Sequence, residues 1–169
     1  MKRIYHGDLE QQSPMWHLIR IGKCTSSKFK AAKAKARGKS DEPGKTAREY
    51  HAQILAQIDL LKAVHAGHCE FYEAFEQFDI ATRFMRDGNT YESLAVQEYS
   101  ERTGNDVDLV GFIEFDTLHI GASTDGLVGD DGMIEVKCPK SSTHRLYMEE
   151  GVLPDDYKWQ VQGGMWVAE

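Results

Sequence analysis

The hydrophobic period changes at Gly104, and that change restricts the folds open to this chain. Upstream, apolar residues recur every three or four positions. From Thr46, Ile54, Leu55, Ile58, Leu61 and Val64 form one stripe, with Asp59 and Lys62 on a more polar face. Thr46 and Glu49 have the spacing of a capping box. Two more helices are predicted, from about Glu70 to Met85 and from Asn89 to Arg102, the second stopped by Gly104. Downstream, Val107–Phe115, Leu118–Ser123 and Met133–Cys138 are short, β-branched or alternating. Asp116-Thr117 and Gly129–Gly132 separate them as turns, which predicts a β-meander. Pro139 ends the third strand. Helical spacing returns over Asp155–Val167, weakened by Gly163 and Gly164. Helices, strands and a closing helix in that order predict a mixed α/β domain, a sheet flanked by helices.

Near the start, Ser13-Pro14 precedes Trp16, Ile19, Ile21 and Phe29, with Gly22 among them. This predicts a short helix, a turn, and a second helix capped by Thr25, Ser26 or Ser27. Residues 33–44 are rich in Lys, Ala, Gly and Ser and are expected to form a mobile basic loop. The full 169 residues amount to one domain at roughly 100–200 residues per domain. A hydrophobic fraction of 41% supplies a core and argues against general disorder. No apolar run approaches the roughly 18 residues of a membrane-spanning helix. The first eight residues carry no apolar stretch of the kind a secretory signal needs.

Cys24, Cys69 and Cys138 are odd in number and far apart, which suits free thiols in a reducing cytoplasm. His65, His68 and Cys69 lack a second ligand pair and read as the polar end of a helix. The net charge of −7 taken alone argues against nucleic acid. Its distribution argues the other way. Arg20–Arg48 holds ten Lys/Arg against two acids, while Glu49–Glu169 holds eight against twenty-three. Such asymmetry marks either a nucleic-acid-facing segment or a solvated lysine-rich face.

The chemistry concentrates in Gly121–Pro139. On a strand, Glu135 and Lys137 share one face and Val136 the other. A hairpin of this length brings Asp125 beside Glu135. Two hard carboxylates are what Mg²⁺ requires, with water and a substrate phosphate completing its shell. A lysine beside them can deprotonate or polarise an attacking water, or stabilise charge on the phosphate. The same residues would also make an ordinary surface ion pair, which contributes about 0–1 kcal/mol.

These residues resemble the phage lambda exonuclease branch (viral recombinase, YqaJ-type) of the PD-(D/E)XK nucleases. Thr124-Asp125 and Glu135-Val136-Lys137, extended by Cys138-Pro139, match that superfamily's hairpin, with Thr124 where a proline is usual. Asp87–Ala95 is similar to the family helix whose glutamate joins the metal site, and Glu92 takes that place. Trp16-x-x-x-Arg20-x-Gly22-x-x-Thr25-x-Ser27 resembles the family's N-terminal motif. Gln160-Val161-Gln162 with Met165-Trp166-Val167 resembles a later helix whose glutamine lies near the active site.

The resemblance implies a restriction-endonuclease-like core and a single nuclease domain over 1–169. It implies Mg²⁺-dependent 5′-to-3′ hydrolysis of linear double-stranded DNA, releasing 5′-mononucleotides and leaving 3′ overhangs for phage-type recombination. Asp125, Glu135, the Val136 carbonyl and Glu92 would hold two Mg²⁺ ions, with Mn²⁺ able to substitute. Lys137 and Gln160 would act beside them, and Arg20, Ser27 and Ser123 would bind a 5′-phosphate. It further implies a homotrimer, a single-strand annealing partner, no membrane, and a phage or prophage protein in a bacterial cytoplasm. Relatives continue past the position of Glu169 with further strands and a helix, so a short form or a truncated piece is expected. Two alternatives stand beside this reading: an endonuclease of repair or restriction, and a non-catalytic DNA-binding recombination accessory.

Overall fold

The structure, a computed structural model, describes residues 1–38, 41–68 and 89–169, with only the backbone described at 89 and 90. The helix predicted over Glu70–Met85, and Cys69, lie outside the described residues. The elements run β1 (Arg3–His6), α1 (Pro14–Ile19), β2 (Cys24–Thr25), a 3₁₀ turn (Ser26–Lys28), α2 (Phe29–Ala32), α3 (Lys45–His65) and α4 (Asn89–Thr103). They continue β3 (Phe112–Phe115), β4 (Ile120–Ala122), β5 (Gly126–Val128), β6 (Gly132–Ile134), α5 (Ser141–Glu150) and α6 (Asp155–Ala168). No described helix is long and apolar enough to cross a membrane.

The sheet order is β1-β3-β4-β2, and β5-β6 form a separate hairpin. β1 and β4 are antiparallel to β3, whereas β2 runs parallel to β4 with Cys24 opposite Ile120 and Thr25 opposite Gly121. The sheet is therefore mixed, as expected. On one face Val110, Ile113, Phe115 and Ala122 pack against Val167 of α6, with Phe29 and Leu127 at the margin. Burying a Phe or Ile side chain in this way contributes about 1.5–3 kcal/mol. Phe112 fills the other face, lying so close to Gly121 that a Cβ there would meet its ring at 2.2 Å.

The two glycines that weakened the last helix prove to be its contact points. A Cβ at Gly163 would meet the Phe29 ring at 2.4 Å, and one at Gly164 would meet Met133 Sδ at 2.9 Å. Bare backbone at these two positions lets α6 lie against α2 and β6. Lys30 of α2 and Asp156 of α6 pair across the same contact. From the sheet edge, Arg3 Nε donates to the Val167 carbonyl at 2.9 Å and Tyr5 Oη to that of Ala168 at 2.8 Å.

Several expectations are corrected. β1 was not foreseen, because Arg-Ile-Tyr-His carries no alternation of apolar and polar residues. The first meander strand starts at Phe112 rather than Val107; Asp108 instead makes an isolated bridge to Leu127. Gly126–Val128 forms a strand that the sequence reading left between turns. The last strand ends at Ile134, short of Cys138. Helix α3 begins at Lys45, capped by the Gly44 backbone, so Thr46 and Glu49 lie inside it and form no capping box. Gly44 is required there, since a Cβ would fall 2.6 Å from the Lys35 carbonyl oxygen. None of Thr25, Ser26 and Ser27 caps the second helix: the 3₁₀ turn begins after Thr25, which makes no side-chain cap bond. Apart from these corrections, backbone bonds join the described ends of the basic segment, Ala36 N–H to Glu42 O at 2.9 Å and Gly44 N–H to Ala34 O at 2.7 Å. Helix α5 was missed altogether, although Gly151 at φ 62° ends it in the left-handed conformation glycine favours.

Candidate active site

The β5-β6 hairpin positions the central pair. Gly126 is opposite Ile134, so Asp125 and Glu135 flank the open end of the ladder. Asp125 N–H still donates to Ile134 O at 3.2 Å. One residue further the backbone ladder stops, and Val136 N–H donates to Asp125 Oδ2 at 2.6 Å instead. This side-chain acceptor explains why the third strand is shorter than its sequence suggests. Glu135 Oε1 accepts from Lys137 Nζ, and from Gln160 Nε2 of α6 at 2.5 Å. Lys137 Nζ also lies 5.5 Å from the centre of the Tyr157 ring, one turn before Gln160 on the same helix.

Glu135 is nearly enclosed, its side chain 8% exposed against 31% for Lys137. Burial pushes the Glu135 carboxyl above its ordinary range, opposed by the Lys137 hydrogen bond and assisted by the charges of Asp125 and Glu92. Burial likewise raises Asp125, against the Val136 N–H and the Lys137 charge. Glu92, in the first turn of α4, is half-buried; desolvation and then the Asp125 charge raise it, while Lys137 pulls it down. Asp125, Glu135, Lys137 and Glu92 therefore act on one another across a single site, and three carboxyl groups share one amine. Burial of the charged form is the chief cause of all three shifts, and like charge adds to it at Glu135 and Glu92.

Among the described residues, no three His, Cys, Asp or Glu side chains converge as a ready metal-ligand cluster. Glu135 is turned instead to Lys137 and Gln160. The donor chemistry nevertheless fits a hard divalent cation: crowded carboxylates and a backbone carbonyl supply oxygen alone, and added positive charge would relieve their repulsion.

A second cluster adjoins this one through the segment Ser123–Asp125. The Arg20 guanidinium lies 3.6 Å from the centre of the Trp16 ring, and its Nη1 is 3.4 Å from Ser123 Oγ. Trp16 Nε1 donates to both Ser123 Oγ and Gly111 O, each at 2.9 Å, and Ser123 Oγ donates to Gly111 O at 2.9 Å. Burial lowers the Arg20 pKa to about 10, which leaves it charged at neutral pH. Ser27 lies in the 3₁₀ turn after β2, beside β4, but its hydroxyl faces Thr25 Oγ1 at 3.3 Å rather than Arg20.

Of the residues singled out in the sequence, Glu135, Lys137 and Gln160 are brought into one hydrogen-bonded group, and Asp125 is tied beside it through the Val136 N–H. Glu92 is coupled to that group by charge, and Arg20 and Ser123 form the adjoining one. Sequence reasoning gave no task to Gln11, whose Nε2 bonds the carbonyls of Val110 (3.1 Å) and Thr124 (2.8 Å). That side chain fastens the N-terminal loop to the site. No periodic signal marks it, because it acts through backbone carbonyls a hundred residues away. A cavity of about 570 Å³ opens here, walled by Leu9, Gln12, Val96 and Leu109 and reaching Glu92 and Asp125.

A model of the YqaJ-like viral recombinase domain matches residues 15–169. A search of curated proteins finds no match. Among solved structures, this chain is similar to an alkaline exonuclease from Laribacter hongkongensis, with 30% identity and a TM-score of 0.65 over 92% of this chain and 68% of that one. The same exonuclease in complex with dAMP matches equally well. The mixed sheet and its flanking helices are thus the PD-(D/E)XK fold, and the resemblance to the lambda exonuclease-like, YqaJ-type branch holds. The chain belongs to the YqaJ-like viral recombinase family.

Proposed function

We propose that this protein is a Mg²⁺-dependent 5′-to-3′ exonuclease acting on linear double-stranded DNA in phage-type recombination. The observation that carries the reading is the joining of two unlike clusters by three residues. An acid-rich group (Asp125, Glu135, Glu92 with Lys137) begins two positions after the hydroxyl of a cationic pocket (Arg20, Ser123). The dAMP bound by the related exonuclease supports it as well.

Asp125, Glu135 and the Val136 carbonyl would hold one Mg²⁺, and Glu92 with Asp125 a second. Bound there, the ions supply charge stabilisation to both the attacking and leaving oxygens of an in-line displacement. The protein's own groups do the rest. Lys137, set by Glu135 and the Tyr157 ring, orients the attacking water and steadies charge on the phosphate. Gln160 fixes the Glu135 carboxylate. The planar Arg20 fork donates to two oxygens of the terminal 5′-phosphate, with Ser123 and Ser27 as hydroxyl donors. Recognition of an end group rather than base edges makes the enzyme indifferent to sequence.

The test is degradation of linear duplex DNA with Mg²⁺ or Mn²⁺, comparing 5′-phosphorylated and 5′-hydroxyl ends. Activity that needs a divalent cation, spares covalently closed plasmid and is abolished by Lys137→Ala supports the reading. Nicking of closed plasmid would instead identify an endonuclease, and failure to bind either ion in calorimetry a non-catalytic accessory. The homotrimer and the annealing partner belong to the same proposal; light scattering and co-purification with a single-strand annealing protein test them.

A further inference from the structure

Trp16 has so far only been a neighbour of the phosphate pocket, yet its hydrogen bonds are unusual. One indole N–H is shared between two acceptors, Ser123 Oγ and Gly111 O, both at 2.9 Å. The Ser123 hydroxyl proton, meanwhile, is spent on the same Gly111 carbonyl, again at 2.9 Å. The three groups form a closed triangle, and Gly111 is buried. In this arrangement the serine oxygen accepts from Trp16 and Arg20 and has no proton to offer an anion. To donate to a phosphate it must turn away from Gly111. A buried carbonyl left without a donor is costly, so that turn needs a second donor already in place.

Resting on the reading of Arg20 and Ser123 as a phosphate pocket, we propose that Trp16 is a positioning residue that releases the Ser123 hydroxyl toward the terminal phosphate by keeping Gly111 O bonded. The shared N–H moves wholly onto Gly111 O as the serine turns, and no buried acceptor is orphaned in either state. The indole plane has a second task. With the guanidinium carbon 3.6 Å from its centre, the ring holds the Arg20 fork flat while the fork donates at its edge, as Nη1 does to Ser123 Oγ. The ring fixes the cation and its N–H frees the hydroxyl, so one side chain prepares both donors.

The test compares Trp16→Phe, which keeps a flat ring and loses the N–H, with Ser123→Ala, Arg20→Ala and the Trp16→Phe/Ser123→Ala pair. Each is assayed on 5′-phosphorylated and 5′-hydroxyl duplex ends. Trp16→Phe and Ser123→Ala are each expected to lower the preference for phosphorylated ends about tenfold, the loss lying in KM rather than kcat. The double variant should lose no more than either single one, because both remove the same donated proton. Additive losses would overturn the proposal, since Trp16 would then act independently of Ser123. Retained preference in Trp16→Phe, with Arg20→Ala losing it, would also overturn it while leaving the pocket standing. Retained preference in Arg20→Ala would remove the pocket itself. If Trp16→Phe does not fold, Ser123→Ala decides. Lost preference at an unchanged urea midpoint is expected, because Trp16 still covers Gly111 O; a lowered midpoint with preference kept is the refuting result.

Discussion

Thr124 is the fully buried residue between Ser123 and Asp125, and its Oγ1 has no hydrogen-bond partner among the described residues. A hydroxyl taken from water without a new partner costs about 1–3 kcal/mol. Valine has nearly the same shape and no such need. Its extra methyl takes the place of Oγ1, and the methyl both residues share, Cγ2, lies 3.8 Å from where a Cβ on Gly164 would stand. The backbone bond from Gln11 Nε2 to Thr124 O does not involve the side chain and remains. Thr124→Val is therefore expected to stabilise the protein by about 1–2 kcal/mol. For a chain of this size that is a rise in Tm of roughly 3–6 °C. Urea unfolding should show a higher midpoint at unchanged slope, since the exposed surface is the same. A midpoint lowered by the equivalent of about 0.5 kcal/mol or more would refute the reasoning, because the hydroxyl must then be satisfied.

Other consequences can be measured alongside. Glu92→Gln removes one of the carboxylates that repel one another in the site, so the cation-free protein should gain in Tm at neutral pH. Saturating Mg²⁺ should in turn stabilise the parent, by about 2.7 kcal/mol at one hundred times Kd, and stabilise Glu92→Gln less. Gly163→Ala gains roughly 1 kcal/mol in helix propensity but forces its Cβ onto Phe29, costing about 1–3 kcal/mol, so a lower urea midpoint is expected. Because burial lowers the Arg20 pKa to about 10, the proposed preference for phosphorylated ends, read as a ratio of kcat/KM values, should be flat to about pH 9 and fall through pH 10. A ratio unchanged at pH 11 would count against Arg20. Chromatography of the products should show mononucleotides from the first turnover, and accumulation of dinucleotides would place the phosphate pocket one step too far away.

Most of the helices and the grouping of residues on the hairpin were legible in the sequence for different reasons. α4 was bounded by its terminal glycine, Gly104, and α6 followed from apolar spacing, both of them local signals. The hairpin carboxylates follow from the period of two, which places Glu135 and Lys137 on one face. What stayed hidden depends on distant partners. β1 is a strand because β3 offers it a ladder, and its own residues carry no pattern. The strand before Lys137 stops early because Asp125, not a neighbouring strand, takes the Val136 N–H. Gly163 and Gly164 looked like helix breakers until Phe29 and Met133 were placed against them. Ser27 carried a motif position, yet the fold turns its hydroxyl to Thr25.

The charge imbalance of the chain takes its meaning from this geometry. A net −7 spread evenly would repel DNA. Here carboxyls are gathered where burial and mutual repulsion leave them short of positive charge, and the nearby guanidinium is stacked on an indole. Ser123 and Asp125 are two residues apart, a span of at most about 7 Å in extended chain. That is close to one nucleotide step along a strand. A terminal phosphate held at Arg20 and Ser123 would, on the proposed reading, bring the next phosphodiester to Asp125 and Glu135. On the proposed reading, the size of the product is set by how closely the polypeptide joins its cationic pocket to its acidic one. The total charge then matters less than the two-residue interval at which its sign reverses.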